Sequence, residues 1–153
     1  MNLPFGNKKS YISNNGFSLI EVMITVAILS ILVTIAIPIY SNYTQRAYIL
    51  SYITGNVPQI KIQITEDLLN GKDISQQTYN TPSAISVING STSGATIQLD
   101  LSKLYPNSYD SSDTIRLVGH IENSLVKWEC QYNQNANNIN PSAVPDTCIA
   151  TNY

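Results

Sequence analysis

The sequence predicts an α+β protein in which one long N-terminal helix packs on a four-stranded antiparallel sheet. An apolar run opens at Phe17 and continues as an apolar stripe with helical spacing as far as Leu68. Four short runs of alternating or β-branched residues follow, separated by turn residues. At 153 residues, the chain has room for one ordinary domain and a membrane segment.

The apolar run is long enough to cross a bilayer. From Phe17 to Ile39 it covers 23 residues, about 35 Å as a helix against a hydrocarbon core of about 30 Å. Lys8 and Lys9 precede it, and the positive-inside rule places them in the cytoplasm. No small-residue cleavage site of the secretory type follows the run. We therefore predict a single span at residues 17–39 and an extracytoplasmic domain at residues 40–153.

Glu21 is the one charged residue between Phe17 and Gln45. A charge in hydrocarbon costs several kcal/mol, so a carboxylate at this place predicts a function. Gly16 supplies a flexible backbone at the membrane face, and Pro38 removes a helical hydrogen bond late in the run. A plain single-pass anchor is the simplest alternative, and it leaves the carboxylate unexplained.

The apolar stripe predicts that the helix extends well beyond the membrane. Its members recur every three or four residues and are Tyr43, Ala47, Leu50, Ile53, Val57, Ile60, Ile64 and Leu68. Gly55 and Pro58 interrupt the helix and should bend it without ending it, because the stripe resumes in phase. Asn70 and Gly71 supply a stop signal, so a helix of roughly 50 residues is expected.

The rest of the chain predicts a small sheet. The four strand-like runs are Ala84–Ile88, Ala95–Leu101, Thr114–Ile121 and Ser124–Tyr132. A turn at residues 89–94 separates the first two, and the last two join across Glu122 and Asn123. The polar stretches at residues 72–83 and 105–113 are predicted loops.

Cys130 and Cys148 are the two cysteines of the chain, and both lie beyond the predicted membrane span. An even count on that side of a membrane predicts one disulfide in an oxidising compartment. The closed loop would contribute about 3 kcal/mol on the chain-entropy model. The Asn-rich residues between the cysteines are predicted to be too polar to hold themselves in place without this cross-link.

Composition and motifs argue against catalysis and against direct nucleic-acid binding. The formal net charge is -2, and it becomes -4 without Lys8 and Lys9, so no basic face is predicted. His120, the only histidine, has no metal-spaced partners and is predicted to be a strand-face residue. Residues 110–113 could offer oxygens to a hard cation, but a turn is the preferred interpretation. No nucleophile elbow, phosphate loop or paired catalytic histidine occurs, so we predict neither an enzyme nor a cofactor.

Residues Gly16 to Leu29, with the sequence GFSLIEVMITVAIL, resemble the processing and assembly motif of type IV pilins. The likeness continues through Pro38, Tyr40 and Tyr43. It implies a pilin fold and a prepilin peptidase that cuts after Gly16, removes the leader at residues 1–16 and methylates Phe17. It also implies that Glu21 pairs with the N-terminal ammonium of a neighbouring subunit. Such a pair offsets the cost of burying either charge alone.

The C-terminal region carries a second, separate resemblance. Trp128 stands two residues before Cys130, and Pro145 stands three before Cys148, as in the disulfide-bounded region of type IVa pilins. The leader departs from that subgroup because it is longer than the few residues usual there. Type IVb pilins have long leaders, but their first mature residue is usually not Phe.

The resemblance implies a structural subunit that is stored in the inner membrane and polymerised into an extracellular fibre. Its partners would be other copies of the chain, the prepilin peptidase and the pilus assembly machinery in the membrane, which separate ATPases power. Such fibres serve adhesion, twitching motility and DNA uptake. The alternatives are a minor pilin, a DNA-binding minor pilin, a type II secretion pseudopilin and a plain membrane-anchored domain. The major pseudopilin usually has a calcium loop in place of the C-terminal disulfide.

Overall fold

A computed structural model of the chain describes residues 16–136 and 138–153, so residues 1–15 of the predicted leader lie outside the described residues. Its long helix and five strands are α1 (Leu19–Leu69), β1 (Ile85–Ile88), β2 (Gly94–Asp100), β3 (Thr114–Glu122), β4 (Leu125–Asn133) and β5 (Cys148–Thr151). Single 3-10 turns occur at Ile74–Gln76, Leu101–Lys103 and Pro141–Ala143. The predicted fold class is confirmed. The chain divides into two compact units after Pro38.

Both ends of α1 are marked by local sequence. The helix begins after Ser18, with Glu21 in its first turn. It ends before Gly71, whose φ of 71° is a left-handed conformation that glycine adopts without strain. The amide of Gly71 donates to the Leu68 carbonyl at 3.0 Å, and that of Lys72 donates to the Asp67 carbonyl at 2.9 Å. This pair of bonds is the Schellman C-cap, which confirms the predicted stop signal.

The buried face of α1 agrees with the predicted stripe only in its second half. The buried residues are Ile49, Val57, Ile60, Ile64 and Leu68. Tyr43, Ala47 and Leu50 are exposed, so the first half of the predicted stripe is wrong. Ile49 and Leu50 are adjacent and both apolar, and the predicted stripe contains Leu50 where the core contains Ile49. Steps of four back from Val57 pass through Ile53 and reach Ile49, which is the residue that packs in the core.

The sheet has the order β1-β2-β3-β4-β5, and its first four strands pair antiparallel as predicted. A fifth strand was not predicted. β5 pairs parallel with β4, and Cys148 lies directly opposite Cys130 in the register. Four residues without clear alternation give no strand signal, whereas the disulfide places this segment beside β4.

The hairpin between β3 and β4 lies one residue later than the sequence predicted. Asn123 and Ser124 form the turn, with φ values of 52° and 63°. Positive φ at both central positions is the signature of a type I′ turn, whose twist matches that of the flanking strands. Ser124 was predicted to open the strand, because serine is a weak signal for a left-handed position.

One face of the sheet packs on the second half of α1 and forms the core. Alternate residues of the central strands point inward, and all are buried: Ile97, Leu99, Ile115 and Leu117. They belong to one cluster with the buried helix residues Ile60 and Ile64. Burial of this kind supplies most of the folding free energy of a small domain.

Trp128 fills the gap between the sheet and the helix. It lies opposite Gly119 in the β3–β4 register, and a Cβ atom on Gly119 would come within 2.9 Å of three Trp128 ring carbons. From the helix side, Thr65 Oγ1 accepts the indole N–H at 3.3 Å, and Lys61 Nζ lies 5.2 Å from the ring centroid. Position 119 therefore requires glycine because the ring lies directly against its backbone.

We predict that Gly119→Ala destabilises the domain by about 1–3 kcal/mol, the usual cost of overpacking a filled site. Unfolding of the detergent-solubilised chain in urea, followed by the fluorescence of its one tryptophan, measures this change.

Gly55→Ala is the matched control, because a Cβ atom at Gly55 meets nothing within 4 Å. Gly55 lies in the interior of α1, so this variant should gain about 0.5–1 kcal/mol from helix propensity. Equal shifts of the two variants in the same direction would contradict the proposed contact.

Candidate functional site: the apolar N-terminal segment and the disulfide loop

The first part of α1 exposes apolar side chains on all sides. The large apolar residues from Phe17 to Ile37 are between 50% and 85% exposed. Among the described residues, α1 alone is long and apolar enough to cross a membrane, with a mean hydropathy of 2.7 over an 18-residue window. An apolar surface of this extent requires lipid or neighbouring chains around it.

The hydroxyl groups in this segment find their partners within the helix itself. Thr25 Oγ1 donates to the Val22 carbonyl at 2.8 Å, Ser30 Oγ to the Val26 carbonyl at 2.7 Å and Thr34 Oγ1 to the Ser30 carbonyl at 2.7 Å. In hydrocarbon no water can replace such bonds. The segment is therefore suited to lipid in its polar groups as well as in its apolar ones.

Glu21 is also bonded within its own helix. One of its carboxylate oxygens accepts the Ser18 backbone amide at 3.3 Å. The Ser18 carbonyl in turn accepts the Val22 amide at 3.3 Å, which makes Ser18 the N-cap of the helix. Glu21 stands three residues later, in the spacing of a capping box. This bond was missed at the sequence level, although the S-x-x-E pattern is a signal that could have revealed it.

The other residues predicted to act in processing and assembly lie on either side of Glu21. Gly16 and Phe17 precede the helix and are exposed, and a Cβ atom added at Gly16 would meet no atom of the described residues within 4 Å. Pro38 is exposed in the interior of α1, which continues through it without a break. Tyr40 and Tyr43 follow and are 70% and 69% exposed.

The disulfide joins Cys130 at the middle of β4 to Cys148 at the start of β5, with their Cα atoms 4.3 Å apart. The segment between them is more deeply buried than its polar composition predicted. Ala143 and Val144 are only 1% and 3% exposed, and Val144 belongs to the core cluster. The loop is therefore held by apolar burial as well as by the cross-link.

Asn138 fastens the middle of this loop to residues 110–113, which form the predicted turn. Its side-chain amide donates to Asp110 Oδ2 and Asp113 Oδ2, both at 3.1 Å. Asp113 is fully buried and also accepts the Asp110 amide at 2.7 Å. The side chain and then the amide of Ser112 donate to Asp110 and lower the pKa of that carboxyl. The carboxylate oxygens of Asp110 and Asp113 therefore accept hydrogen bonds from N–H and O–H donors. Residues 16–136 and 138–153 contain no cluster of metal ligands.

The helix meets the same region through one of its turns. Arg46 pairs with Asp146, and Gln45 accepts the Tyr109 hydroxyl at 3.0 Å. Tyr105 packs edge-on against Tyr48 and Tyr109, with ring centroids 5.4 Å and 6.0 Å apart. Residues this far apart in the sequence carry no local signal of their pairing, so sequence reasoning missed these contacts.

His120 lies at the outer end of the β3–β4 hairpin. Its Nε2 is 3.9 Å from Glu122 Oε2, and Lys127 pairs with the same carboxylate. The side chain of His120 is 43% exposed. The interpretation of His120 as a strand-face residue is confirmed.

Another polar cluster stabilises the chain just after α1. The Tyr79 hydroxyl donates to Asp67 Oδ2 at 2.9 Å, and Lys72 Nζ lies 2.7 Å from Asp67 Oδ1. Burial, followed by the bond to Asp67, raises the pKa of Tyr79 to about 12. Hydrogen bonds, first from Lys72 and then from Tyr79, hold the pKa of Asp67 below its usual value.

Two family profiles match the chain. The profile described as "PilE, C-terminal" covers residues 43–153, and that described as "Prokaryotic N-terminal methylation motif" covers residues 13–37. The chain is also similar to a solved structure, the Francisella tularensis pilin PilE. That likeness has a TM-score of 0.64 and 38% identity, and it covers 72% of this chain and 97% of the other.

Curated relatives agree with the profiles. The type IV major pilin protein PilE1 of Neisseria gonorrhoeae is 33% identical over 75% of this chain and 68% of its own length. A type IV major fimbrial protein FimA of Dichelobacter nodosus is 47% identical over 38% of this chain. That alignment spans only 36% of the relative, whereas another FimA of the same species is matched over 67% of its length at 34% identity.

We predict that Asn138→Asp destabilises the loop. The substitution removes the amide that bonds the buried Asp113 carboxylate and adds a third carboxylate beside two others. A buried group left short of a donor costs about 1–3 kcal/mol. Thermal unfolding at neutral pH measures the loss.

Asn140→Asp is the matched control in the same loop. Asn140 accepts the Ser142 amide at 2.9 Å as the N-cap of a 3-10 turn, and aspartate serves equally well there. Its expected change is within about 0.5 kcal/mol. Similar losses from both substitutions would show that any added charge in the loop is harmful.

We also predict that the wild type loses its stability advantage over Tyr79→Phe as the pH becomes alkaline. The unfolded chain releases the Tyr79 proton near pH 10, and the folded chain releases it near 12. The stabilisation that comes from keeping this partly buried, hydrogen-bonded hydroxyl protonated is therefore complete below pH 10 and is lost as the pH rises toward 12. Urea unfolding of both chains across this range should show the gap closing. A difference in unfolding free energy that stays constant over this range would contradict the raised pKa of Tyr79.

Proposed function

The chain belongs to the type IV pilin family, and from that premise we propose that it is the major structural subunit of a type IV pilus fibre. Membership makes the chain a structural protein and not an enzyme. The observation that carries the proposal is the exposed apolar segment of α1 with a single carboxylate in its first turn. Two relatives, a major pilin and a major fimbrial protein, support the role of major subunit.

The proposed precursor is stored in the inner membrane with residues 17–39 in the bilayer and residues 40–153 outside. A prepilin peptidase removes residues 1–16 by cutting after Gly16, and it methylates the new N-terminus at Phe17. The match of the methylation-motif profile to residues 13–37 supports this step. The exposure of Gly16 and Phe17 ahead of the helix also supports the proposed cleavage between them.

In the proposed fibre, the exposed apolar side chains leave lipid and pack against those of neighbouring subunits. Glu21 then pairs with the ammonium group of Phe17 on the next subunit. A buried ion pair contributes little net stability, but a subunit out of register would leave both charges unpaired. The pair therefore sets the register of the subunits, while apolar packing of the helices stabilises the fibre. Pro38 has no backbone N–H and therefore weakens the helical hydrogen bonding locally.

We assign adhesion, twitching motility and DNA uptake to the assembled fibre, with the pilus assembly machinery as partner. Direct nucleic-acid binding by the subunit is not part of the proposal. Five of the six cationic side chains beyond residue 39 contact groups within the domain: Arg46, Lys61, Lys72, Arg116 and Lys127. A surface that binds nucleic-acid phosphates requires its Lys and Arg side chains to be available.

The prediction that tests this function concerns Glu21→Ala. The variant should insert in the membrane like the wild type, because it removes a charge from the span, but it should form no surface fibres. Membrane fractionation and electron microscopy of sheared fibres measure the two outcomes. In mass spectrometry, wild-type fibres should contain a subunit that begins at methylated Phe17 and lacks two hydrogens because of the disulfide.

Glu66→Ala is the matched control, since Glu66 is exposed on the same helix but lies in the outer domain. This variant should form fibres at the wild-type level. Normal fibres from Glu21→Ala, or a subunit in the fibre that retains Met1, would overturn the proposed function.

A further inference from the structure

The geometry points to a second partner for Glu21 that precedes fibre assembly, namely the backbone amide of Ser18 in the same chain. This inference rests on the proposed function for the later partner, the ammonium of a neighbouring Phe17. In the single chain, a Glu21 carboxylate oxygen accepts the Ser18 N–H at 3.3 Å. Glu21 would thus exchange an intramolecular cap for an intermolecular ion pair.

The capping bond would stabilise the Glu21 carboxylate in the subunit that is stored in the membrane. The helix N-terminus has unsatisfied N–H groups and a partial positive charge, and both stabilise a negative side chain in the first turn. The hydroxyls of Thr25, Ser30 and Thr34 are also bonded within the helix, since each donates to the carbonyl of a residue in the preceding turn. The stored segment therefore satisfies the Glu21 carboxylate and these three hydroxyls without a second chain.

The cap survives the proposed processing step. The peptidase would break the bond between Gly16 and Phe17, and the Ser18 amide lies beyond that bond. The amide therefore remains available to Glu21 in both the precursor and the processed subunit. The carboxylate is held at the start of the helix until a neighbouring ammonium displaces the amide. Hydrogen bonds between two charged groups are stronger than those to a neutral donor, so the exchange favours the assembled state.

Amide hydrogen exchange in the stored precursor tests the inference. The full chain with its leader intact, made in cells that lack the prepilin peptidase, is placed in lipid bicelles, and exchange is followed by NMR. Glu21→Gln keeps the reach and an acceptor, whereas Glu21→Ala has no acceptor and Glu21→Asp is one methylene shorter. The Ser18 amide should exchange about fivefold faster in the Ala and Asp variants than in the wild type or the Gln variant, the factor expected for one hydrogen bond.

The amide of Ile64, buried in the outer half of the helix, is the internal reference and should exchange at the same rate in all four chains. An equal rate for the Ser18 amide in the wild type and Glu21→Ala would overturn the cap, whatever the fibres show. Fibre assembly by Glu21→Gln separates the two proposals because this variant keeps the cap but has no charge. Slow exchange together with normal fibres from Glu21→Gln would overturn the ion pair and leave the cap standing.

Discussion

The structure depends on one helix that must satisfy two environments along its length. Its first half exposes apolar side chains on every side, and its second half buries one face, from Ile49 to Leu68, against the sheet. The backbone bonds of a helix are internal, so a helix that crosses lipid, as we propose for α1, can continue into water without a break. Pro38, Gly55 and Pro58 are all accommodated within α1.

Glu21 is the single carboxylate of the apolar half, and its proposed role follows from that position. In a water-soluble helix, Glu21 would be an ordinary first-turn residue near a favourable dipole. In the proposed membrane span, the same residue needs a donor at every stage, because an unpaired charge in hydrocarbon costs several kcal/mol. The Ser18 amide supplies such a donor within the chain. A neighbouring Phe17 ammonium is the donor that we propose for the fibre.

In the outer domain, several separate contacts order the polar C-terminal segment. The disulfide fixes its two ends beside β4, and Asn138 and Asp146 bond to Asp113 and Arg46 respectively. Burial of Ala143 and Val144 completes the attachment. No single one of these contacts is large, but together they connect the loop to the sheet, to the neighbouring turn and to the helix.

Local chemistry in the sequence determined the helix with its stop at Gly71, four of the five strands, the apolar segment and Glu21 within it. These are features of neighbouring residues, and the pilin motif itself is continuous in the chain. Only the tertiary structure decided that Ile49 and not Leu50 faces the core, that β5 lies parallel to β4 and that Arg46 meets Asp146. The physical reason is that each depends on which distant segments pack together, and periodicity along one segment does not specify its partner.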